Sequence, residues 1–321
     1  MTYPLAPGFT IKPASLELAP DIHRLIVDVE MHEFGDPTGF TLEEVEGDIR
    51  SLDPERDTWL AVAPDGRLAG YGYLRDRQHV RLDLEVYVHP EHERKGVGTT
   101  LVRLAEERAR EHIDLAPDGS RVVLHNWIDA RNSAACELLE REGFTPYRYF
   151  FRMEMKLDGD LPAPEWPENL VVRACRPRED EPVFYRTIED AMADHWGFVP
   201  VTFEEWMERR TRSGFDPSIW FLVEDAGEPA AAATCLIADG IGWVDHLGVL
   251  KPWRKRGIGM ALLRHAVRAF AERGLERMAL GVDAESPTGA TRLYERAGMH
   301  IAQRHAVYGK ELRPGEDLAG A

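Results

Sequence analysis

Pro252-Trp253-Arg254-Lys255-Arg256-Gly257-Ile258-Gly259 is the stretch on which the rest of the chain turns. Before it, Trp243 to Leu250 reads as a buried strand. After it, Met260 to Arg273 repeats apolar residues at helical spacing, with Leu262, Leu263, Ala266, Val267 and Phe270 on one face. Between strand and helix lies Arg-x-x-Gly-x-Gly. Glycines there remove the Cβ atoms that would hold a ligand off the main chain. They also let successive N–H groups converge at a helix N-terminus, where the helix dipole favours an anion. The first physical reading is a pyrophosphate cradle.

A Walker loop would need a longer glycine spacing ending in Gly-Lys-Ser/Thr, which is absent. A dinucleotide fingerprint would need a third glycine and an early position in a βαβ unit. Instead the chain continues with a second strand, Met278 to Val282, and a helix carrying Ala290-x-x-Leu293-Tyr294-x-x-x-Gly298. This ordered combination resembles the GNAT superfamily of N-acetyltransferases. The resemblance implies that the loop holds the pyrophosphate of acetyl-CoA, the expected co-substrate, with no metal.

The chain of 321 residues is long enough for two ordinary domains, and 44% apolar content allows real cores. A formal charge of −17 argues against nucleic acid or an anionic membrane as main partner. Cys136, Cys175 and Cys235 are odd in number and far apart, with neither disulfide nor metal spacing. No signal peptide or membrane-spanning run is visible, so a cytoplasmic protein, monomer or homodimer, is expected.

Read in order, the chain repeats itself. Strands are expected at Phe9–Ala14, Trp59–Ala63, Leu68–Leu74, Leu82–Val88 and Val122–Trp127, with an edge hairpin over Tyr147–Leu157. Helices are expected over Pro20–Phe34, after a Thr41/Glu44 capping box, after Gly98 to about His112, and over Asn132–Glu142. Asp158 to Asn169, rich in Pro, Gly and acidic residues, reads as a linker. The series then restarts with strands at Leu170–Cys175, Trp220–Val223, Ala230–Ile237 and Trp243–Leu250. Its helices fall at Asp180–Trp196 and after a Thr202/Glu205 capping box, and a final strand pair at His300–Leu312 closes it. Gly96-Val97-Gly98 matches Gly257-Ile258-Gly259, Glu142-Gly143-Phe144 matches Ala297-Gly298-Met299, and His32-Glu33-Phe34-Gly35 roughly matches His195-Trp196-Gly197. The expected fold class is α/β, a mixed central sheet flanked by helices, in two tandem GNAT domains. The first covers residues 1–157, the linker 158–168 and the second 169–321.

The halves differ where chemistry is expected. Glu93 stands where the second half has Arg254, and a carboxylate at the mouth of an anion site repels pyrophosphate. Leu139 stands where the second half has Tyr294. In the family a phenol near the CoA sulfur can protonate or hydrogen-bond the leaving thiolate, and leucine cannot. The C-terminal half is therefore expected to be catalytic. The N-terminal half is read as a degenerate copy that binds CoA weakly, lines the acceptor site or only scaffolds. The cofactor contacts implied by the resemblance are Leu247, Gly248, Val249, Arg254, Lys255, Arg256, Gly257, Ile258, Gly259 and Met260. Their first-half counterparts are Val88, Arg94, Lys95, Gly96, Val97, Gly98 and Thr99.

Asp245 and His246 are the ionisable candidates for general base. Alternation along a strand predicts that at most one of them points at the acceptor. Asp194, His195 and Trp196 are candidate acceptor-binding residues, against the alternative that the aromatics are core. Asp283 and Ser286 read as a capping turn, and Trp206 as helix core. The acceptor implied is a primary amine of a small molecule. Tandem members of the family that acetylate the cysteinyl amine of a sugar-linked thiol share this plan. Peptide N-termini and a non-catalytic CoA-binding or scaffold role are the remaining alternatives.

Overall fold

The computed structural model describes residues 5–35, 41–212, 215–238 and 240–318, without the side chains of Phe34, Arg209, Thr211 and Arg212. The first half runs β1 (Thr10–Lys12), α1 (Ala19–Phe34), α2 (Leu42–Ser51), α3 (Pro54–Asp57), β2 (Thr58–Val62), β3 (Leu68–Arg77), β4 (Arg81–Val88), α4 (Val97–Glu111), β5 (Val122–Asp129), α5 (Ser133–Arg141) and β6 (Thr145–Lys156). The second runs β7 (Leu170–Ala174), α6 (Glu181–Met192), α7 (Phe203–Arg212), β8 (Phe221–Asp225), β9 (Glu228–Ala238), β10 (Ile241–Val249), α8 (Ile258–Glu272), β11 (Arg277–Asp283), α9 (Ala290–Arg296) and β12 (His300–Arg313).

The duplication is visible element by element. Both capping boxes form: Thr41 Oγ1 accepts the Glu44 N–H while the Glu44 carboxylate accepts the Thr41 N–H. Thr202 and Glu205 exchange the same pair of bonds. These contacts satisfy donors that a helix start leaves unpaired.

Two expected hairpins are single long strands instead, and the compact units do not part at the expected boundary of residue 157. One unit contains residues up to Arg148 together with His305 onward; the other contains Tyr149 to Arg304. In the first unit, β12 from His305 to Arg313 pairs antiparallel with β5, giving the order β1-β2-β3-β4-β5-β12. In the second, β6 from Phe150 to Lys156 pairs antiparallel with β11, giving β6-β11-β10-β9-β8-β7. Each half thus lends its last strand to the other half's sheet. The cause is packing: Met153 (0% exposed) and Met155 belong to the core of the second unit, Ala306 and Tyr308 to that of the first. The segment read as a linker has both ends in the second unit, and its Leu161 and Trp166 pack on that unit's core.

Each sheet is buried on both faces by helices. In the second unit, α8 and α9 cover Phe221, Val223 and Val244, while α6 and α7 cover Trp220, Leu222 and Ala232. Successive strand residues point to opposite faces, which is why Phe221 and Leu222 serve different cores. The α8 stripe read from the sequence is the buried one, with Leu262, Leu263, Ala266 and Phe270 fully enclosed. Each large side chain among them contributes roughly 1.5–3 kcal/mol by leaving water. Trp206 is core, as expected. Helix α6 ends at Met192, so Asp194, His195 and Trp196 lie in the turn beyond it. No helix of the described residues is long and apolar enough to cross a membrane.

Candidate active site

In the second unit β10 and β11 run parallel and paired only from Ile241↔Arg277 to Val244↔Leu280. Beyond that point β10 pairs with β9 alone, and β11 with β6 alone. The strands part, and the β11-facing edge of β10 from Asp245 to Val249 has no strand partner among the described residues. This split opens a cavity of about 700 Å³. Its walls are the end of α6 with His195 and Trp196, β10 from Val244 to Val249, the cradle with the first turn of α8, β11 from Leu280 to Asp283, α9 with Leu293 and Tyr294, and Phe150 of β6.

The cradle is built by backbone. Lys255 (φ 63°) and Gly257 (φ 85°) take left-handed conformations that turn the chain into α8. The first intrahelical backbone bond runs from the Ala261 N–H to the Gly257 carbonyl. The N–H groups of Ile258, Gly259 and Met260 therefore have no partner within the helix. A Cβ on Gly259 would lie 3.3 Å from Leu293 Cδ1, so glycine is what lets α9 close against this turn.

The basic side chains of the loop divide. Arg254 donates to the Val249 carbonyl (3.0 Å), to the Ala191 carbonyl (2.9 Å), and twice to the Asp194 carboxylate (2.6 and 3.1 Å). Those bonds hold Asp194 down at about 2, against an opposing effect of burial. The sequence reading placed Arg254 by the phosphates and Asp194 at the acceptor; Arg254 lines the cavity and is also the partner of Asp194, bracing the end of α6 to the loop. Neither Asp194 nor Arg256 lines the cavity, and Arg256 pairs with Asp225 at 3.2 Å. Lys255 lines it and makes no ion pair among the described residues.

Tyr294 lines the same cavity, and its hydroxyl has no hydrogen-bond partner among the described residues. Burial alone pushes its phenol up to about 12, so it is a proton donor at neutral pH.

Asp245 and His246 sit at a β-bulge, where the β9 register shifts between Val244 and His246. The extra residue breaks the alternation that would send neighbours to opposite faces. Both residues line the cavity, with His246 Nδ1 2.9 Å from Asp245 Oδ2. Burial raises the Asp245 carboxyl, but the His246 imidazole and the Arg210 guanidinium outweigh it and hold the group well below the usual range. His246 Nδ1 thus faces an acceptor, the Asp245 carboxylate, and a donor, the Arg210 guanidinium, so both polar partners of the ring lie on its Nδ1 side. Sequence reasoning missed Arg210, which lies against the Trp206 ring at 3.8 Å and reaches His246 Nδ1 at 3.1 Å. It also missed Phe150, 5.9 Å from the Trp196 ring and supplied by the exchanged strand. His195 adds a second imidazole, kept neutral chiefly by burial. Asp283 accepts the Glu285 N–H at 2.9 Å, so it shapes the turn after β11 rather than capping α9, whose cap is Gly289.

The first unit repeats the backbone. β4 and β5 pair only from Arg81↔Val123 to Leu84↔Asn126, and Arg94 (φ 59°) and Gly96 (φ 82°) mirror Lys255 and Gly257. Val97, Gly98 and Thr99 open α4, and Gly98 faces Leu138 and Val88 as Gly259 faces Leu293 and Val249. The side chains differ. Lys95 is engaged with the Glu91 carbonyl (2.8 Å) and His92 (3.2 Å). Glu33 is raised, chiefly by burial and against the pull of its Asn132 bond, with Asp129 and Glu93 adding to the rise. Here β3 and β4 pair without a bulge. Glu85 stands eleven places before Gly96, as His246 does before Gly257. Burial first, then Asp83, push its carboxyl up to about 8.

The family model described as "Acetyltransferase (GNAT) family" matches residues 21–144 and again 184–299. A protein of Thermobispora bispora called mycothiol acetyltransferase is 32% identical over 257 residues, covering 78% of this chain and 82% of its own. One of the same description from Saccharopolyspora erythraea is 28% identical over 261 residues, with 79% and 84% covered. Among solved structures, a GCN5-related N-acetyltransferase from Sphaerobacter thermophilus superposes with a TM-score of 0.84 at 37% identity, over 99% of this chain and 100% of that one. A tandem GNAT protein from the clavulanic acid biosynthesis pathway gives a TM-score of 0.72 at 15% identity over 96% and 100%, a likeness of fold. Two family matches in series, each on a split parallel pair with a glycine cradle, make this chain a tandem member of the GNAT family and an acetyl-CoA-dependent N-acetyltransferase.

Proposed function

We propose that the second unit carries the reaction and that the acceptor is a primary amine of a small molecule. The observation behind this reading is that one cavity gathers the split β10 edge, the cradle N–H groups, a buried phenol with no hydrogen-bond partner among the described residues and an imidazole beside a carboxylate. The N–H groups of Ile258, Gly259 and Met260, with Lys255, suit a pyrophosphate. The open edge of β10 suits an extended amide-bearing arm that adds to the sheet as a strand does. His246 Nε2 takes a proton from the ammonium, and the freed amine nitrogen attacks the thioester carbonyl carbon. The C–S bond then breaks as the nitrogen sheds its second proton, which ends on the sulfur leaving against the Tyr294 hydroxyl, while the imidazolium gives its proton to solvent. Asp245 orients His246 and stabilises the imidazolium that forms. Arg254 and Asp194 hold the loop in place.

Within small-molecule amines, the cysteinyl amine of a sugar-linked thiol is the acceptor we favour, because the relatives from T. bispora and S. erythraea are named mycothiol acetyltransferases. A panel of amines, assayed by thiol release from acetyl-CoA, tests the reading. It should include cysteinyl glycosides, aminoglycosides and peptides with free N-termini. Turnover confined to peptides would overturn it. Acetyl-CoA should also raise the melting temperature, and Gly259→Trp, which fills the cradle, should remove that rise.

A further inference from the structure

β3 and β4 are joined by the turn Gln78–Val80, between the paired residues Arg77 and Arg81. Gln78 (φ 55°) and His79 (φ 62°) both lie in the left-handed region. That conformation is uncommon away from glycine, and where it is held it asks for a reason. It is fixed by the His79 N–H donating to Asp76 Oδ1 at 2.6 Å, and it lays the His79 ring 5.1 Å from that of His112.

His112 is the C-cap residue of α4, and it is 5% exposed. The two Nδ1 atoms stand 2.9 Å apart. Asp76 Oδ2 lies 2.7 Å from His79 Nδ1 and 3.6 Å from His112 Nδ1. Three lone-pair atoms thus converge from a strand end, a turn and a helix end. A single proton on either Nδ1 can bridge one pair of these atoms, whereas an ion engages all three lone pairs at once. A tetrahedral ion bound at 2.0–2.1 Å separates its ligand atoms by roughly 3.3 Å, within the spread seen here.

We propose that Asp76, His79 and His112 form a binding site for a divalent transition-metal ion, Zn²⁺ by preference, in the first unit. Two imidazoles and one carboxylate suit zinc, whereas Mg²⁺ and Ca²⁺ take all-oxygen shells. His79 and Asp76 are about a third exposed, which leaves a fourth position open to water. The ion ties the β3–β4 turn to the end of α4. Cysteine spacing predicts no metal, but these ligands come from elements 33 residues apart and form no spacing a sequence displays. The nearby cationic side chains Arg77 and Arg81 are committed to Asp83. A second group, His89, Glu91 and His92, is a weaker candidate and serves as a control. There His89 Nδ1 accepts the Glu91 N–H (3.2 Å), and His92 Nδ1 faces the Lys95 ammonium (3.2 Å).

The test is Zn²⁺ titration of the full chain, free of affinity tags, against a chromophoric chelator, with Co²⁺ absorption as a second readout. One ion per chain is expected. His79→Asn, which keeps the left-handed turn, and Asp76→Asn should each weaken binding about 10- to 100-fold. His89→Ala should leave binding unchanged. No saturable binding up to about 100 μM Zn²⁺ would overturn the proposal. So would binding that survives His79→Asn, or that is lost in His89→Ala.

Discussion

Tyr294→Phe separates chemistry from packing more cleanly than any other substitution in the cavity. The phenol hydroxyl has no hydrogen-bond partner among the described residues, so its removal breaks no contact in the resting protein. The ring fills the same space in the unit's core. Stability should therefore hold, with the melting temperature within about 2 °C of the parent. The catalytic cost comes from two acidities. Tyr294 titrates at about 12, while a thiol titrates near about 8.5. Complete proton transfer from this phenol to a departing thiolate is uphill, at about 1.4 kcal/mol per unit of difference. The hydroxyl then acts mainly as a hydrogen-bond donor to a developing anion, an interaction of about 1.5–3 kcal/mol. That range converts to a loss in kcat of roughly 10- to 150-fold. KM for acetyl-CoA should stay within about twofold, because the bond strengthens only as charge develops on sulfur. Steady-state thiol release, measured beside thermal unfolding, reads both quantities. A kcat loss below about threefold, or a loss confined to KM, would refute the role assigned to the phenol. Leu139→Ala in the first unit is the companion: a kcat loss equal to that of Tyr294→Phe would overturn the choice of catalytic half.

Arg254→Ala should lower stability by roughly 1–2 kcal/mol at pH 7, discounted because water reaches the pair. It should also raise KM for acetyl-CoA. Asp194 is depressed from 3.8 to about 2, so its contribution is present above about pH 4 and lost as pH falls through 2. Urea unfolding should therefore show the variant's deficit shrinking below pH 4. An unchanged KM and a pH-independent deficit would remove the brace. Glu85→Gln acts with the opposite sign. The folded carboxyl keeps its proton until about pH 8, while the unfolded one loses it near 4.5. Stability of the parent should thus decline as pH rises between those values, and Glu85→Gln should abolish the decline. A parent whose unfolding midpoint is flat from pH 5 to 8 would contradict this placement.

How much of this could be read beforehand depends on whether a feature is local. The Gly257–Gly259 cradle, the Thr41 and Thr202 capping boxes and the buried stripe of α8 are set within a few residues, and all are where the sequence puts them. The Leu138–Leu139 and Leu293–Tyr294 correspondence also holds, since Leu138 and Leu293 meet equivalent glycines. The bulge at Asp245 is a property of two strands and cannot be seen in one. That is why strict alternation separated two side chains that lie 2.9 Å apart. Arg254 carries the motif's charge, but its partner Asp194 lies 60 residues away. The exchange of β6 and β12 leaves no trace in composition. It is decided by which core Met153 and Tyr308 enter.

The two halves also show which part of such a site a backbone can supply alone. Both sheets split at the same place, and both loops turn through a left-handed residue and a left-handed glycine into a long helix. The main-chain frame that we propose holds an anion is therefore present twice. Only one copy adds the extra strand residue at which a carboxylate and an imidazole meet beside the cleft, and only one sets a phenol on the last helix. In the other copy, Leu139 is closed into the core and Glu85 holds its proton near neutrality. A protonated acid cannot withdraw a proton from an ammonium group, and an aliphatic chain cannot meet a thiolate. The first unit thus keeps the frame for holding a carrier while lacking both ends of a proton relay at neutral pH. This asymmetry, more than the exchange of Glu93 for Arg254, is the physical ground on which we propose that turnover belongs to the second unit.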